Sequence, residues 1–186
     1  SIGMATRESV HDIGAMVSQY TDLIIARTVR HQTCVQLAES AAVPVINALT
    51  DLLHPCQVLA DAYTLMERER FSSSVKIVFL GDGNNIANSW LEYATKFPLH
   101  LVLSCPPGYE PHPRIVEEAL SAGLSRIEFI VDPVQAVRDA DVIYTDVWPE
   151  ANAGVDEGRR LVVFKPYQVN KALLKHAHRD CLVMHR

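Results

Sequence analysis

His54, Pro55, Cys56 and Gln57 stand together where an extended stretch gives way to a helical one. Before them, Val43-Pro44-Val45-Ile46-Asn47 is an apolar run of strand length. After them, Val58, Leu59, Ala62, Leu65 and Met66 recur at helical spacing up to the charged Glu67-Arg68-Glu69-Arg70. Pro55 suits a first helical turn, where its missing N–H costs nothing. The carboxyl end of a parallel strand beside a helix N-terminus is a place where α/β proteins hold anionic ligands. There the His54 ring can donate a hydrogen bond to a carbonyl oxygen, and Gln57 can read an amide. The plainer alternative is that His54 only caps a helix and Gln57 is a solvated surface amide.

Two further charges sit in similar places. Arg27 ends a run of Leu, Ile and Ala, and a cation so close to a buried strand calls for a partner or a ligand. Asp146 follows the apolar Val142-Ile143-Tyr144-Thr145, where a carboxylate can pair with an ammonium group or simply turn the chain into Trp148-Pro149. Gly81-Asp82-Gly83-Asn84-Asn85 lies between a strand and a helix. The third glycine of a dinucleotide fingerprint would fall at Ile86, and the following strand ends in Ser104-Cys105 without an acidic ribose ligand, so a nicotinamide site is set aside. Asn84 and Asn85 are good helix caps, and two amides at a sheet mouth can also hold an amino acid's polar head. His176, His178 and His185 lack metal spacing with any acidic partner, so no metal is assigned. Glu67 to Arg70 reads as a solvated helix end.

The elements that must position these residues alternate. A helix over Ser9–Tyr20, a strand at Leu23–Ala26, a helix over Gln32–Ser40, a strand at Val43–Asn47 and a helix from Pro55 to Arg70 give an α/β unit with parallel strands and crossover helices. Phe71-Ser72-Ser73-Ser74 breaks the pattern, which divides the chain into 1–70 and 71–186. The second unit begins with the strand Val75–Leu80 and a helix through Trp90, Leu91, Ala94 and Phe97, followed by a strand at Leu99–Leu103. A loop rich in proline precedes helix Arg114–Ala122, which stops at Gly123. Ile127–Val131, Pro133–Arg138 and Val142–Thr145 read as strand, short helix and strand. Beyond the polar Glu150–Arg160 come an apolar run at Leu161–Phe164, helix Val169–Ala177 and strand Leu182–Met184. The fold class is α/β.

Composition narrows the partners. A formal net charge of −5 argues against a general nucleic-acid binder, while local arginines can still serve a phosphate or carboxylate. No apolar run is long enough for a membrane span. Cys34, Cys56, Cys105 and Cys181 are scattered without a Cys-x-x-Cys pair, which fits reduced thiols in a reducing, cytoplasmic compartment. The first residues show no signal-peptide apolar region and no initiator methionine, and the chain reads as a piece of something longer.

Together, Arg7 to Asp12, Ile25-Ala26-Arg27-Thr28, Val43 to Gln57, Gly81 to Asn85 and Tyr144-Thr145-Asp146-Val147-Trp148 resemble the aspartate/ornithine carbamoyltransferase family over practically the whole chain. His-Pro-x-Gln followed by Gly-Asp-Gly-Asn-Asn at this separation is highly specific. The resemblance implies two parallel-sheet α/β domains: a partial N-terminal domain for carbamoyl phosphate and a Rossmann-like C-terminal one for the amino acid. It implies transfer of the carbamoyl group to the δ-amine of ornithine, giving citrulline, with no cofactor and as a homotrimer of arginine metabolism. Arg27 and His54 would be catalytic, directed at the carbonyl oxygen, and Pro55, Cys56 and Gln57 would complete the carbamoyl phosphate site. Asn85 and Asp146 would hold ornithine.

Three places depart from the family pattern. Its Ser-Thr-Arg-Thr-Arg phosphate cradle has no counterpart here, so about half of the first domain is expected before Ser1. Its Asp-x-x-x-Ser-Met-Gly loop reads Asp146-Val147-Trp148-Pro149-Glu150-Ala151-Asn152, which leaves putrescine or an acylated ornithine open as the amine. Its Cys-Leu-Pro after Met-His is absent, Arg186 following His185. A non-catalytic relative that keeps the fold is the alternative of a different class.

Overall fold

The computed structural model describes residues 8–148 and 157–186, with side chains from 160 onward in the second stretch. Helix α1 (Val10–Val17) is capped by Ser9, whose Oγ accepts from the Asp12 N–H at 3.1 Å, and leads into strand β1 (Ile24–Arg27). Helix α2 (His31–Ser40) connects to strand β2 (Val45–Leu49), which pairs parallel with β1 and brings Arg27 opposite Leu49. Val10, Ile13, Ala26, Cys34 and Leu37 form their shared core. Helix α3 (Pro55–Glu67) starts with Pro55, whose ring pre-sets the helical φ. The chain then passes into the second sheet.

That sheet is built from β3 (Lys76–Leu80), β4 (His100–Ser104), β5 (Arg126–Phe129), β6 (Val142–Thr145) and β7 (Leu182–His185). Their order is β5-β4-β3-β6-β7, all parallel. Side chains alternate across it as the strand period requires. Ile77, Phe79, Leu101 and Leu103 face α3, α4 (Asn85–Ala94) and α5 (Pro113–Ala122); Val78, Leu80, Val102 and Ile143 face α6 (Pro133–Ala136) and α8 (Lys171–Leu174). With both faces covered, continuous apolar strands are what the fold demands. The order reverses between β3 and β6, and ligands of such Rossmann-like sheets bind at the carboxyl ends of the strands flanking that reversal.

Two glycines make the mouth of β3. Gly81 has φ +123°, a conformation that side chains rarely adopt. Gly83 lets the loop after β4 press against the turn: a Cβ there would collide with backbone of Glu110 and Pro111. Helix α5 ends at Gly123 in the left-handed conformation, φ +61°, as expected.

The structure corrects several expected boundaries. Strand β2 runs two residues later than the apolar run suggested, through Asn47 to Leu49, because pairing with β1 sets its extent. Helix α7 (Glu157–Phe164) begins inside the stretch read as polar and is followed by a 3-10 turn at Lys165–Tyr167; the last helix is shorter than expected, since α8 starts only after the Asn170 cap and ends at Leu174.

Candidate functional site

The turn from Thr50 to His54 is the hinge of the site, and it is fastened on all sides. Thr50, fully buried, accepts from Leu53 N–H through its Oγ1 at 3.0 Å, and its hydroxyl also lies 3.1 Å from the His31 ring. The Asp51 carboxylate caps α2 by accepting from His31 N–H at 2.8 Å. From the second sheet, α4 supplies three contacts. Asn85 Nδ2 donates to the Thr50 carbonyl at 2.7 Å, and Asn88 Nδ2 donates to the Leu52 carbonyl at 3.1 Å. The His54 N–H donates to Ser89 Oγ at 2.7 Å, and that hydroxyl donates to the Asn85 carbonyl. Buried polar groups in a dry joint need such partners.

Beside this turn a cavity of about 560 Å³ is walled by Arg27, Thr28, Val29, Leu49, Thr50, Asp51, Asn85 and Arg186. Arg27 is exposed and makes no ion pair among the described residues. Arg27 at the end of β1 and Asn85 at the start of α4 thus share one chamber.

His54 is 8 % exposed and occupies the N-cap of α3. Its Nδ1 is buried and has no hydrogen-bond partner among the described residues. Burial, and then the Arg186 and Arg27 charges, hold the His54 pKa below the ordinary 6.5. The imidazole is therefore neutral at pH 7, with one N–H to donate. The unfolded chain binds this proton first as pH falls. His54 thus contributes stability that is complete above about 6.5 and lost as pH drops toward the folded value. Following the His54 ring resonance by NMR should give a midpoint below 6.5 that rises in Arg27→Ala; a midpoint at or above 6.5 would contradict this electrostatic picture.

Cys56 is exposed, its Sγ 3.4 Å from the Asn47 carbonyl, and Pro55 opens the helix beside it. Gln57 is half-buried, and its Nε2 donates to Asp61 Oδ1 at 3.0 Å.

Asp146 follows β6 at the reversal point of the sheet. Only 5 % exposed, it accepts from Asn84 Nδ2 at 2.8 Å and from Val147 N–H at 2.7 Å, and its Oδ2 lies 3.5 Å from Arg186 Nη1. Asn84 thus has two tasks, since its Oδ1 also caps α4 by accepting from Ile86 N–H. Asp146 lines a second cavity of about 400 Å³ with Thr145, Val147, Trp148, Gln168, Val169, Val183 and His185. Arg186 joins the two halves: it pairs with Asp146 and lines the chamber that holds Arg27 and Asn85. The segment Pro149–Asn152, expected to shape the amine site, lies outside the described residues, as does Arg7.

Thr50, Asn88, Ser89, Asp61 and Arg186 were not anticipated from the sequence. Asn88 and Ser89 had a detectable signal: they fall three and four residues after Asn85, on the same face of a helix that is buried on nearly every side. Among the described residues no group of three His, Cys, Asp or Glu side chains is arranged to hold a metal, and no helix is long and apolar enough to cross a membrane.

Comparison with known proteins gives the family. Residues 1–67 match the carbamoyl-P binding domain of aspartate/ornithine carbamoyltransferase, and residues 73–186 match its Asp/Orn binding domain. An ornithine carbamoyltransferase of Chlorobaculum tepidum is 46 % identical over 185 residues, covering 100 % of this chain and 55 % of the relative. The chloroplastic enzyme of Pisum sativum is 44 % identical over 99 % of this chain and 49 % of its own. The solved ornithine carbamoyltransferase of Pyrococcus furiosus superposes with a TM-score of 0.90 at 43 % identity, covering 97 % of this chain and 59 % of that one. The chain therefore spans roughly half to three-fifths of the length of these relatives. With both family domains matched in order and the fold shared, the chain belongs to the aspartate/ornithine carbamoyltransferase family.

Proposed function

We propose that the protein of which this chain forms part transfers the carbamoyl group of carbamoyl phosphate to the δ-amine of ornithine, releasing citrulline and phosphate. The observation that carries this reading is the shared chamber, in which Arg27 from β1 and Asn85 from α4 face the same space beside the α3 N-terminus. Arg27 and neutral His54 donate to the carbonyl oxygen, and Gln57 recognises the carbamoyl NH2. Attack by the neutral amine forms a C–N bond and moves the carbonyl electron pair onto oxygen, where fixed donors stabilise it. Collapse of this intermediate breaks the C–O bond to phosphate, which leaves with the electron pair, and the new C–N nitrogen gives up a proton. Asp146 and Asn85 hold the amino-acid end, so much of the rate comes from orientation. Assembly as a homotrimer and a cytoplasmic setting complete the reading; four free cysteines fit a reducing compartment.

The test is citrulline formation by the full-length enzyme, with ornithine, putrescine and an acylated ornithine compared as carbamoyl acceptors. Ornithine should have the highest kcat/KM. A clear preference for putrescine would shift the assignment to a diamine carbamoyltransferase, and inactivity toward all three would leave a binding relative.

A further inference from the structure

Asp61 is a buried carboxylate to which the reaction above gives no task. It lies one helical turn beyond Gln57 on α3 and is 8 % exposed. Its two oxygens go in different directions: Oδ1 accepts from Gln57 Nε2 at 3.0 Å, and Oδ2 accepts from the Tyr144 hydroxyl at 2.7 Å. Tyr144 belongs to β6, is 1 % exposed, and is wedged between Phe79, stacked at 5.8 Å, and Trp90, edge-on at 5.9 Å. An aromatic clamp in the second sheet therefore fixes the carboxylate, and the carboxylate fixes Gln57.

The chemistry of this chain is directional. An ionised carboxylate only accepts hydrogen bonds, so the NH2 end of the Gln57 amide must face it. Amide planarity then turns Oε1 to the other side, where it makes no hydrogen bond to any described residue. We propose that Asp61 is a positioning residue, held by Tyr144, that locks the Gln57 amide with its carbonyl oxygen presented to the ligand. The site then rewards a ligand bearing an NH2 group and discriminates against an isosteric acyl phosphate without one. This rests on the reading of Gln57 as a ligand of the carbamoyl group. Burial raises the Asp61 pKa, while the hydrogen bonds from Tyr144 and Gln57 act to keep it ionised.

Asp61→Asn is the informative change because it keeps the volume. Its Oδ1 can still accept from Tyr144, which leaves an NH2 facing Gln57 and forces that amide to turn round. In the full-length enzyme, Gln57→Ala and Asp61→Asn should each raise KM for carbamoyl phosphate roughly tenfold to a hundredfold, the scale of leaving one buried hydrogen-bonding group without its partner. KM for the amine should stay put. The double variant should be no worse than either single one, because both remove the same contact. Acetyl phosphate, tested as a competitive inhibitor, should bind Asp61→Asn no more weakly than wild type. If Gln57→Ala raises KM but Asp61→Asn does not, or if their effects multiply, the positioning role is overturned while Gln57 keeps its own. If Gln57→Ala leaves the carbamoyl phosphate KM unchanged, the reading of Gln57 fails and takes this proposal with it. Should Asp61→Asn not fold, Tyr144→Phe takes its place: it removes only the hydroxyl, and its smaller KM effect should vanish in the Gln57→Ala background. An effect that persists there would overturn the proposal.

Discussion

Replacing Arg27 with alanine in the full-length enzyme should lower kcat for carbamoyl transfer by roughly 10²–10³-fold, the usual loss when one donor to a developing oxyanion is removed. Thermal stability should be almost unchanged. Arg27 is exposed at the last position of β1 and makes no ion pair among the described residues, so the fold does not depend on its charge. Arg27→Lys should recover only part of the rate, because an ammonium keeps the charge but not the planar fork that fits an oxyanion. His54→Ala should lose rate on a similar scale but also some stability, since His54 is buried at the cap of α3. Steady-state kinetics with thermal unfolding on the same samples separates the two cases. A normal kcat in Arg27→Ala would remove the carbonyl-polarising role from this residue.

The second large effect belongs to Asp146. Asp146→Asn conserves shape and can still accept from Val147 N–H, but it removes the negative charge at the reversal point of the sheet. KM for ornithine should rise by roughly 10²–10³-fold, on the scale of truncating one partner of a desolvated charge pair. KM for carbamoyl phosphate should change little. Arg186, left without its partner, is 28 % exposed at its side chain and can turn to water, so the structural cost is small. Equal losses for both substrates would mean that Asp146 supports the whole joint and does not recognise the amine.

The second sheet was largely legible in the chain because its central strands, β3, β4 and β6, are buried on both faces and read as nearly continuous apolar runs. Ser9, Pro55 and Gly123 marked helix ends through local backbone chemistry, which a sequence displays directly. Helix α7 was hidden because its first residues are polar, and no periodicity separates a polar helical turn from a loop. Asp61, Asn88 and Ser89 were missed for another reason. Asn88 and Ser89 bind main-chain groups, Leu52 carbonyl and His54 N–H, so their spacing from Asn85 marks a face of α4 but no side chain elsewhere names what that face touches. The Asp146–Arg186 pair becomes predictable only once β6 and β7 are known to align Thr145 with His185, which makes the next residue of each strand a neighbour. The motif positions were visible; the partners that orient them depend on which strands meet.

The polar suture along α4 changes what the break at Phe71–Ser74 means. Asn85, Asn88 and Ser89 reach out of the second sheet to the Thr50–His54 turn, and Tyr144 reaches to Asp61. Cutting the chain at the break would strand three donors and one acceptor of the second half in a newly wetted apolar face, beside Trp90 and Leu91. Covalent modularity and energetic modularity therefore do not coincide in this molecule. A recombination experiment that exchanges only the second half between relatives inherits an α4 tailored to someone else's turn. The natural crossover point lies upstream, before Thr50, so that the turn, α3 and the sheet that grips them travel as one cassette.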